Sequence, residues 1–417
     1  MPRLALPDQL SALRHRNFRV YWTGAFVSFT GNWIQTVAQG WLVYHLTRDP
    51  ATLALVSFAG QAPVFFMGPF TGAVADSFDK RRVVIVTQTS LAVTALTLAA
   101  VTLLGYVQVW HILLIGLLNG IIWSFDVPAR QSLISELVDT EDIANAIPLT
   151  GATFNVARLV GPSIGGILLA SLGPGVCFLA NGLSYAAMLS GLLAVRPRSE
   201  ARVEDTQPAF QRMTEGIRTV ATTPAFRTLI LLEIVISVFG LFYIVQLPAY
   251  AADVLGTGKQ GLGYLYSAIG VGAVSGLGTL AMLSRYRGRG RVPALAMTGF
   301  SLGLLALGLV GIAIAGGSSP KASLVAGLCL VVTGYCGTTM LNGTNTLLQA
   351  NAAEHLRGRV VGVHFWALSG LGPIGTLLFG EIAARIGVSE SFLVGAVICL
   401  VVALPAVFFA RSVQQLR

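Results

Sequence analysis

A chain of 417 residues that is 54% hydrophobic and 11% charged, with a mean hydropathy of +0.73, cannot keep a water-facing surface, since soluble domains carry about a quarter charged residues. A soluble enzyme and a disordered chain are excluded, and the four scattered cysteines (Cys177, Cys329, Cys336, Cys399) exclude a disulfide scaffold. The 47 glycines lack a three-residue period, so what remains is an all-α polytopic membrane protein whose small residues let helices approach closely, with a net charge of +9 left for topology to explain.

A span needs roughly 20 apolar residues to cross about 30 Å of hydrocarbon. The first six candidates run near 18–46, 51–75, 83–105, 109–129, 144–172 and 176–195. Arg14 to Arg19 lead into a first stretch too long for a signal-peptide core, so span 1 is expected to stay in the mature protein. It carries Asn32, Gln35 and Gln39 on one helical face. Amides are expensive against lipid, so this face is expected to line a central cavity, with amide bonds between helices as the competing reading. Asn119, Asn155, Gln246 and Asn342 are weaker candidates of the same kind. The stripe Trp22, Phe26, Phe29 and Trp33 fits packing or an interfacial belt better than an aromatic substrate wall. After span 2, Gly72 and Asp76 are followed by Lys80, Arg81 and Arg82. Asp126 lies about one turn inside the end of span 4, with Arg130 as its i+4 neighbour. Arg158 lies deep in span 5, just before Gly161-Pro162-Ser163-Ile164-Gly165-Gly166.

The stretch 196–225 is long and polar. Its first part reads as a linker, and Phe210, Met213, Ile217 and Val220 then recur at helical spacing, which predicts a cytoplasmic amphipathic helix. The linker divides the chain into six-helix bundles at 1–195 and 226–417. The second six spans run near 226–251, 262–284, 293–315, 322–346, 360–386 and 391–411. Glu233 sits about 10 Å into span 7. Ionisable groups at such depth cost about 2.5–3.5 kcal/mol on insertion scales and usually face protein or water. Glu233 is therefore the leading proton-carrier candidate, with Asp126 as a second, and a static ion pair competes closely with that reading. Arg158 is a counter-ion, an anion-binding group or a cap on carbonyls beside Pro162. Gly372-Pro373-Ile374-Gly375 repeats the span 5 motif at an offset of 211 residues, and Arg287, Arg289 and Arg291 echo the basic loop after span 2. These two signals predict a six-plus-six duplication, the plan on which transporters place a site between rocking halves.

With the N-terminus inside, 22 of the 27 Lys and Arg fall in cytoplasmic segments; only Arg48, Lys259, Lys321 and Arg385 lie outside, and Arg158 lies within a span. Both termini are thus expected in the cytoplasm, and the positive charge needs no nucleic acid. The five histidines lack metal-ligand spacing and no Walker motif is present, so neither a metal, nor a cofactor, nor a catalytic constellation, nor ATP drive is expected.

Taken together, these motifs resemble the major facilitator superfamily. Gly72-Ala73-Val74-Ala75-Asp76-Ser77-Phe78-Asp79-Lys80-Arg81-Arg82 is similar to its G-x-L-A-D-R-x-G-R-K signature, and Gly161 to Gly166 resembles the G-P-x-x-G-G motif of its antiporters. Asn17-Phe18-Arg19, Gly31-Asn32-Trp33-Ile34-Gln35-Thr36, Trp41-Leu42-Val43-Tyr44, Asp126-x-Pro128-x-Arg130 and Leu356-Arg357-Gly358-Arg359-Val360 are similar to its enterobactin-exporter and macrolide-efflux branch. Asp79 departs from the usual Gly, and Gly116 stands where the span 4 antiporter signature has Arg, which removes proton coupling through that arginine.

The resemblance implies two pseudo-symmetric bundles of six helices in a bacterial inner membrane. It implies a conformational latch of Gly72, Asp76, Lys80, Arg81, Asp126 and Arg130. It also implies proton-coupled efflux of an amphipathic small molecule (a drug, macrolide or siderophore) by a chain expected to work as a monomer. An importer, a lysolipid flippase and a membrane-embedded enzyme are the rivals, the last disfavoured by the missing constellation.

Overall fold

Lipid offers the backbone no hydrogen bonds, so a chain this apolar must satisfy its N–H and C=O groups within each span, and helix is the open-chain solution. The computed structural model describes residues 8–76, 78–195, 209–283, 289–314 and 320–409, and nearly all of them are helical. A 3₁₀ segment, Asp8–Arg14, leads into α1 (Arg16–Thr47), α2 (Pro50–Asp76), α3 (Lys80–Leu103), α4 (Val109–Ser135), α5 (Ile143–Leu172) and α6 (Pro174–Ala194). The linker helix is α7 (Ala209–Thr222). Then follow α8 (Pro224–Phe239), α9 (Tyr243–Ala249), α10 (Gly258–Leu283), α11 (Val292–Ala313), α12 (Pro320–Asn351), α13 (Glu354–Ile386) and α14 (Val388–Phe409). Among the described residues, ten helical stretches are long and apolar enough to cross a membrane, and α1 and α10 stand at the positions of spans 1 and 8.

Local chemistry sets several ends. Asp79, where the family signature has Gly, is the N-cap of α3 and accepts the Arg82 N–H at 2.7 Å. Gly173 (φ 83) joins α5 to α6 and Gly387 (φ 107) joins α13 to α14. Both joints need the left-handed backbone that glycine adopts without a Cβ penalty.

Span 7 differs from the continuous helix expected over 226–251. It stops at Phe239, resumes as α9, and widens into a π turn over Tyr250–Val254. Gly240 sits at the break, and Leu241 N reaches back five residues to Ile236 O at 2.8 Å. Pro248 inside α9 removes a further donor just before the π turn.

Contacts divide the chain into two units, Met1–Gln39 with Ala59–Thr206, and Gly40–Phe58 with Gln207–Arg417. In the first, Phe18, Tyr21 and Phe29 of α1 pack with Leu133 of α4, Ala157 of α5 and Met188 of α6. A Cβ added at Gly161 would lie 2.5 Å from Trp33 Cβ, and one at Gly165 3.0 Å from Ile34 Cα, so this motif is where α5 presses on α1. In the second unit the related motif does the same job: a Cβ at Gly375 would collide with the Val238 carbonyl of α8. Phe242 stacks on Phe379 at 3.9 Å, and Tyr250 and Phe392 extend that aromatic layer.

The linker helix α7 forms as expected, but its faces are finer than its apolar spacing suggests. Gly216 and Val220 are buried against α13, whereas Ile217 is 40% exposed. Residues 196–208 and the Arg287 part of the second basic loop lie outside the described residues.

Candidate functional site

A buried ion pair lies in the first unit. Asp126 on α4 is fully buried; its Oδ1 accepts from Thr87 Oγ1 at 2.5 Å and from Gln88 Nε2 at 2.9 Å, both on α3. Its Oδ2 lies 2.5 Å from Arg130 Nε, one turn along the same helix. The guanidinium rests 4.9 Å over the Phe29 ring and 5.7 Å from that of Trp123, which compensates part of its lost hydration. Ser28 Oγ of α1 reaches Gln88 Oε1 at 3.5 Å, so three helices meet around one carboxylate. Thr87 and Gln88 carried no sequence signal, because they read as ordinary polar residues of span 3.

Two further members of the expected latch, Arg81 and Lys80, have described contacts. Arg81 donates to the Leu192 and Leu193 carbonyls at 2.8 and 3.1 Å, closing the C-terminal end of α6. Lys80 Nζ reaches Phe78 O at 3.2 Å. The surroundings of Gly72 and the side chains of Asp76 and Asn155 lie outside the described residues. Arg158 is half-buried on α5, and Pro162 and Gly166 are buried beside Gly161 and Gly165.

The amide face of α1 is committed to a neighbouring helix. Gln35 Oε1 accepts Asn181 Nδ2 at 2.7 Å, and Asn32 Oδ1 accepts the Tyr185 hydroxyl at 2.7 Å, both partners lying on α6. Gln39 is half-buried. Asn119 accepts from Thr94 Oγ1 at 2.7 Å, and Asn342 donates to its own helix at Thr338 O. Interhelical bonding therefore describes Asn32, Gln35 and Asn119 in this structure. Amides meet at this spacing wherever two helices cross closely, so helical periodicity could not separate glue from lining. Phe29 is likewise inside the core and meets Phe154 edge-on at 5.2 Å.

The second unit holds another buried carboxylate. Glu233 on α8 is fully buried, and its Oε2 lies 2.7 Å from Nδ1 of His364 on α13, which is 3% exposed. Glu233 Oε1 has no hydrogen-bond partner among the described residues. The surrounding layer is apolar, with Leu229, Ile230, Leu347, Val360 and Ala367 among its members. Local spacing does not pair His364 with Glu233, because 131 residues separate them. A signal did exist: a carboxylate within a span needs a partner, and His364 is the histidine inside a span of the same half.

Elsewhere in the second unit, Gln246 on α9 is fully buried, donates to Pro50 O at 3.4 Å, and has no partner for Oε1 among the described residues. Asp253 in the π turn accepts from the Tyr44 hydroxyl and from Arg48 Nη1 at 3.1 Å. No cluster of three or more His, Cys, Asp or Glu side chains that could hold a metal occurs among the described residues.

Comparison with known proteins places these groups in context. The multidrug efflux pump Tap of Mycolicibacterium fortuitum is 26% identical over 400 residues, covering 93% of this chain and 94% of the relative. The staphyloferrin A transporter of Staphylococcus aureus is 22% identical, covering 95% and 97%. The enterobactin exporter EntS of Shigella flexneri is 26% identical, covering 90% and 87%. Among solved structures, the nucleoside transporter NupG aligns with a TM-score of 0.69 at 16% identity, over 94% of this chain and 99% of that one. A D-xylose-proton symporter aligns at 0.70 and 14% identity, over 96% and 99%; both likenesses concern the fold. The pattern of the transmembrane secretion effector family matches residues 8–415, and the chain therefore belongs to that family of major facilitator transporters: it is a multi-pass membrane transporter of small molecules, not an enzyme.

Proposed function

We propose that this transporter exports an amphipathic small molecule of the drug, macrolide or siderophore class in exchange for protons, with Glu233 as the proton carrier. The observation that carries the proton assignment is the contrast between the two buried carboxylates. Asp126 accepts two hydrogen bonds and faces a permanently charged guanidinium, so it serves best as a fixed counter-charge to Arg130. Glu233 faces an imidazole, which can gain or lose a proton in the physiological range, and keeps one oxygen without a partner among the described residues. The relatives that carry efflux and siderophore names support the export direction and the substrate class.

In this reading both termini are cytoplasmic, the chain works as a monomer, and the bundles 1–195 and 226–417 alternate access to a midplane site. Asp76, Lys80, Arg81 and the Asp126–Arg130 pair stabilise one state of that cycle. The test uses inverted vesicles carrying a preformed pH gradient and a panel of a macrolide, a tetracycline and a catecholate siderophore. A transported compound collapses the gradient in wild type, and Glu233→Gln abolishes the collapse. Full coupled transport by Glu233→Gln refutes the carrier assignment, and uptake in place of export reverses the direction.

A further inference from the structure

We propose that the coupling group is the Glu233–His364 pair rather than Glu233 alone, the two side chains holding one proton between them. This rests on the proton-driven reading above and adds His364 as a proton-sharing residue. Unloaded, the carboxylate accepts the Nδ1–H of a neutral imidazole, and the pair carries one negative charge. Loading adds one proton and nothing else. The product is either a carboxylic acid bonded to a neutral ring or a carboxylate facing an imidazolium, and both are neutral overall.

The geometry favours sharing over a merely structural contact. Glu233 Oε2 and His364 Nδ1 are 2.7 Å apart in a layer from which both side chains are shielded, so a proton moves between them without crossing solvent. Glu233 Oε1, without a partner among the described residues, is the atom left for exchange with an incoming proton or water. A buried carboxylate with no titratable neighbour is costly to leave ionised, and the imidazole N–H relieves that cost in the unloaded state.

Among the described side chains, the other charged groups on the helices packed against α8 are occupied or remote. Arg359 on α13 pairs with Glu215 of α7, and Glu381 pairs with Arg385 at the far end of α13. Arg218, Lys321 and Arg357 are exposed, Arg227 lies six residues before Glu233, and Glu390 stands in the first turn of α14. The Cys399 thiol of α14 is directed at Val235 O, 3.9 Å away. Among the described residues, His364 is thus the ionisable group within hydrogen-bond reach of Glu233. The pair spans two helices whose contact depends on Gly372 and Gly375 against Ser237 and Val238, so a shift of α13 along α8 opens or closes it.

The experiment needs no substrate. In the full chain in liposomes, infrared titration follows the protonated-carboxyl band that Glu233→Gln removes, and NMR of labelled histidine follows the resonance that His364→Asn removes. Asparagine keeps an N–H donor for Oε2 but cannot take up a proton. The expected result is reciprocal: the Glu233 midpoint moves by about one pH unit or more in His364→Asn, and the His364 midpoint moves by a comparable amount in Glu233→Gln. A Glu233 midpoint unchanged in His364→Asn overturns the proposal and leaves His364 a structural donor. Where a variant fails to fold, the wild type decides: a common midpoint for both signals supports sharing, and an imidazole titrating at its own separate midpoint overturns it. Failure of proton-driven export is read separately, as wild-type vesicles whose gradient survives every compound in the panel.

Discussion

The two buried carboxylates obey different rules. Asp126 and Arg130 are one turn apart on a single helix, so their pair forms with α4 itself and persists however the helices around it move. Glu233 and His364 are on different helices, and their pair exists only while α8 and α13 hold their register. Asp126 also accepts from Thr87 and Gln88, whereas Glu233 relies on one titratable partner. In the reading proposed above, a permanently charged partner makes Asp126 a structural charge, and a titratable partner makes Glu233 a working one. Breaking the first is expected to cost stability, and breaking the second to cost coupling.

Arg130→Gln should have the largest effect on that contrast. It strands a fully buried carboxylate, for which a loss of about 3–5 kcal/mol is expected. The check is unfolding of the purified protein, with Glu233→Gln as the comparison. The latter keeps a neutral hydrogen-bonding side chain and should change stability far less while abolishing proton exchange. Equal destabilisation by both would erase the distinction.

Glycine contacts sharpen the comparison next. Gly375→Ala drives a methyl group into the Val238 carbonyl, a backbone atom that cannot rotate away, and overpacking of this kind costs about 1–3 kcal/mol. Gly161→Ala meets Trp33 Cβ at 2.5 Å and the Thr30 carbonyl at 3.0 Å, a milder overlap than the 2.0 Å to the Val238 carbonyl, and should cost less. Gly375→Ala should in addition disturb the Glu233–His364 titration, because it displaces α13 from α8. An identical carboxyl midpoint in Gly375→Ala would show that the pair tolerates such a shift.

The smallest effect is expected in the first unit, where the 3₁₀ segment Asp8–Arg14 meets the start of α5. Asp142 accepts hydrogen bonds from Ser11 and from His15, the latter at 2.7 Å, and these hold its carboxyl below the usual carboxylate range. A carboxylate whose pKa is lowered by folding contributes stability above its ordinary value of about 3.9 and loses it as pH falls. The segment Asp8–Arg14 should therefore stay protected from hydrogen exchange near neutrality and become exposed as pH drops below about 4. Asp142→Asn should remove that acid dependence, and unchanged protection at low pH would show that other contacts hold the segment.

Much of the fold was legible because lipid simplifies the code. Apolar length marked the helices, and the Gly-Pro motifs of spans 5 and 11 marked two of the places where a helix presses on its neighbour. Asp126 and Arg130 could be paired from spacing alone, since four residues fix their distance. Asn32 and Gln35 show the limit: their shared face was visible, but not that it meets Asn181 and Tyr185 of α6. The break of span 7 was equally hidden, because Gly240 and Pro248 are residue types that many unbroken membrane helices also contain.

Composition and periodicity alone were enough to make this chain a bundle of membrane helices, because burying backbone polar groups in hydrocarbon leaves few alternatives. Whether a given polar side chain faces a helix, a cavity or another charge was settled by packing, since that depends on residues far apart in sequence. Glu233 and His364 are separated by 131 positions and joined by 2.7 Å, a distance that no local rule of helix geometry contains.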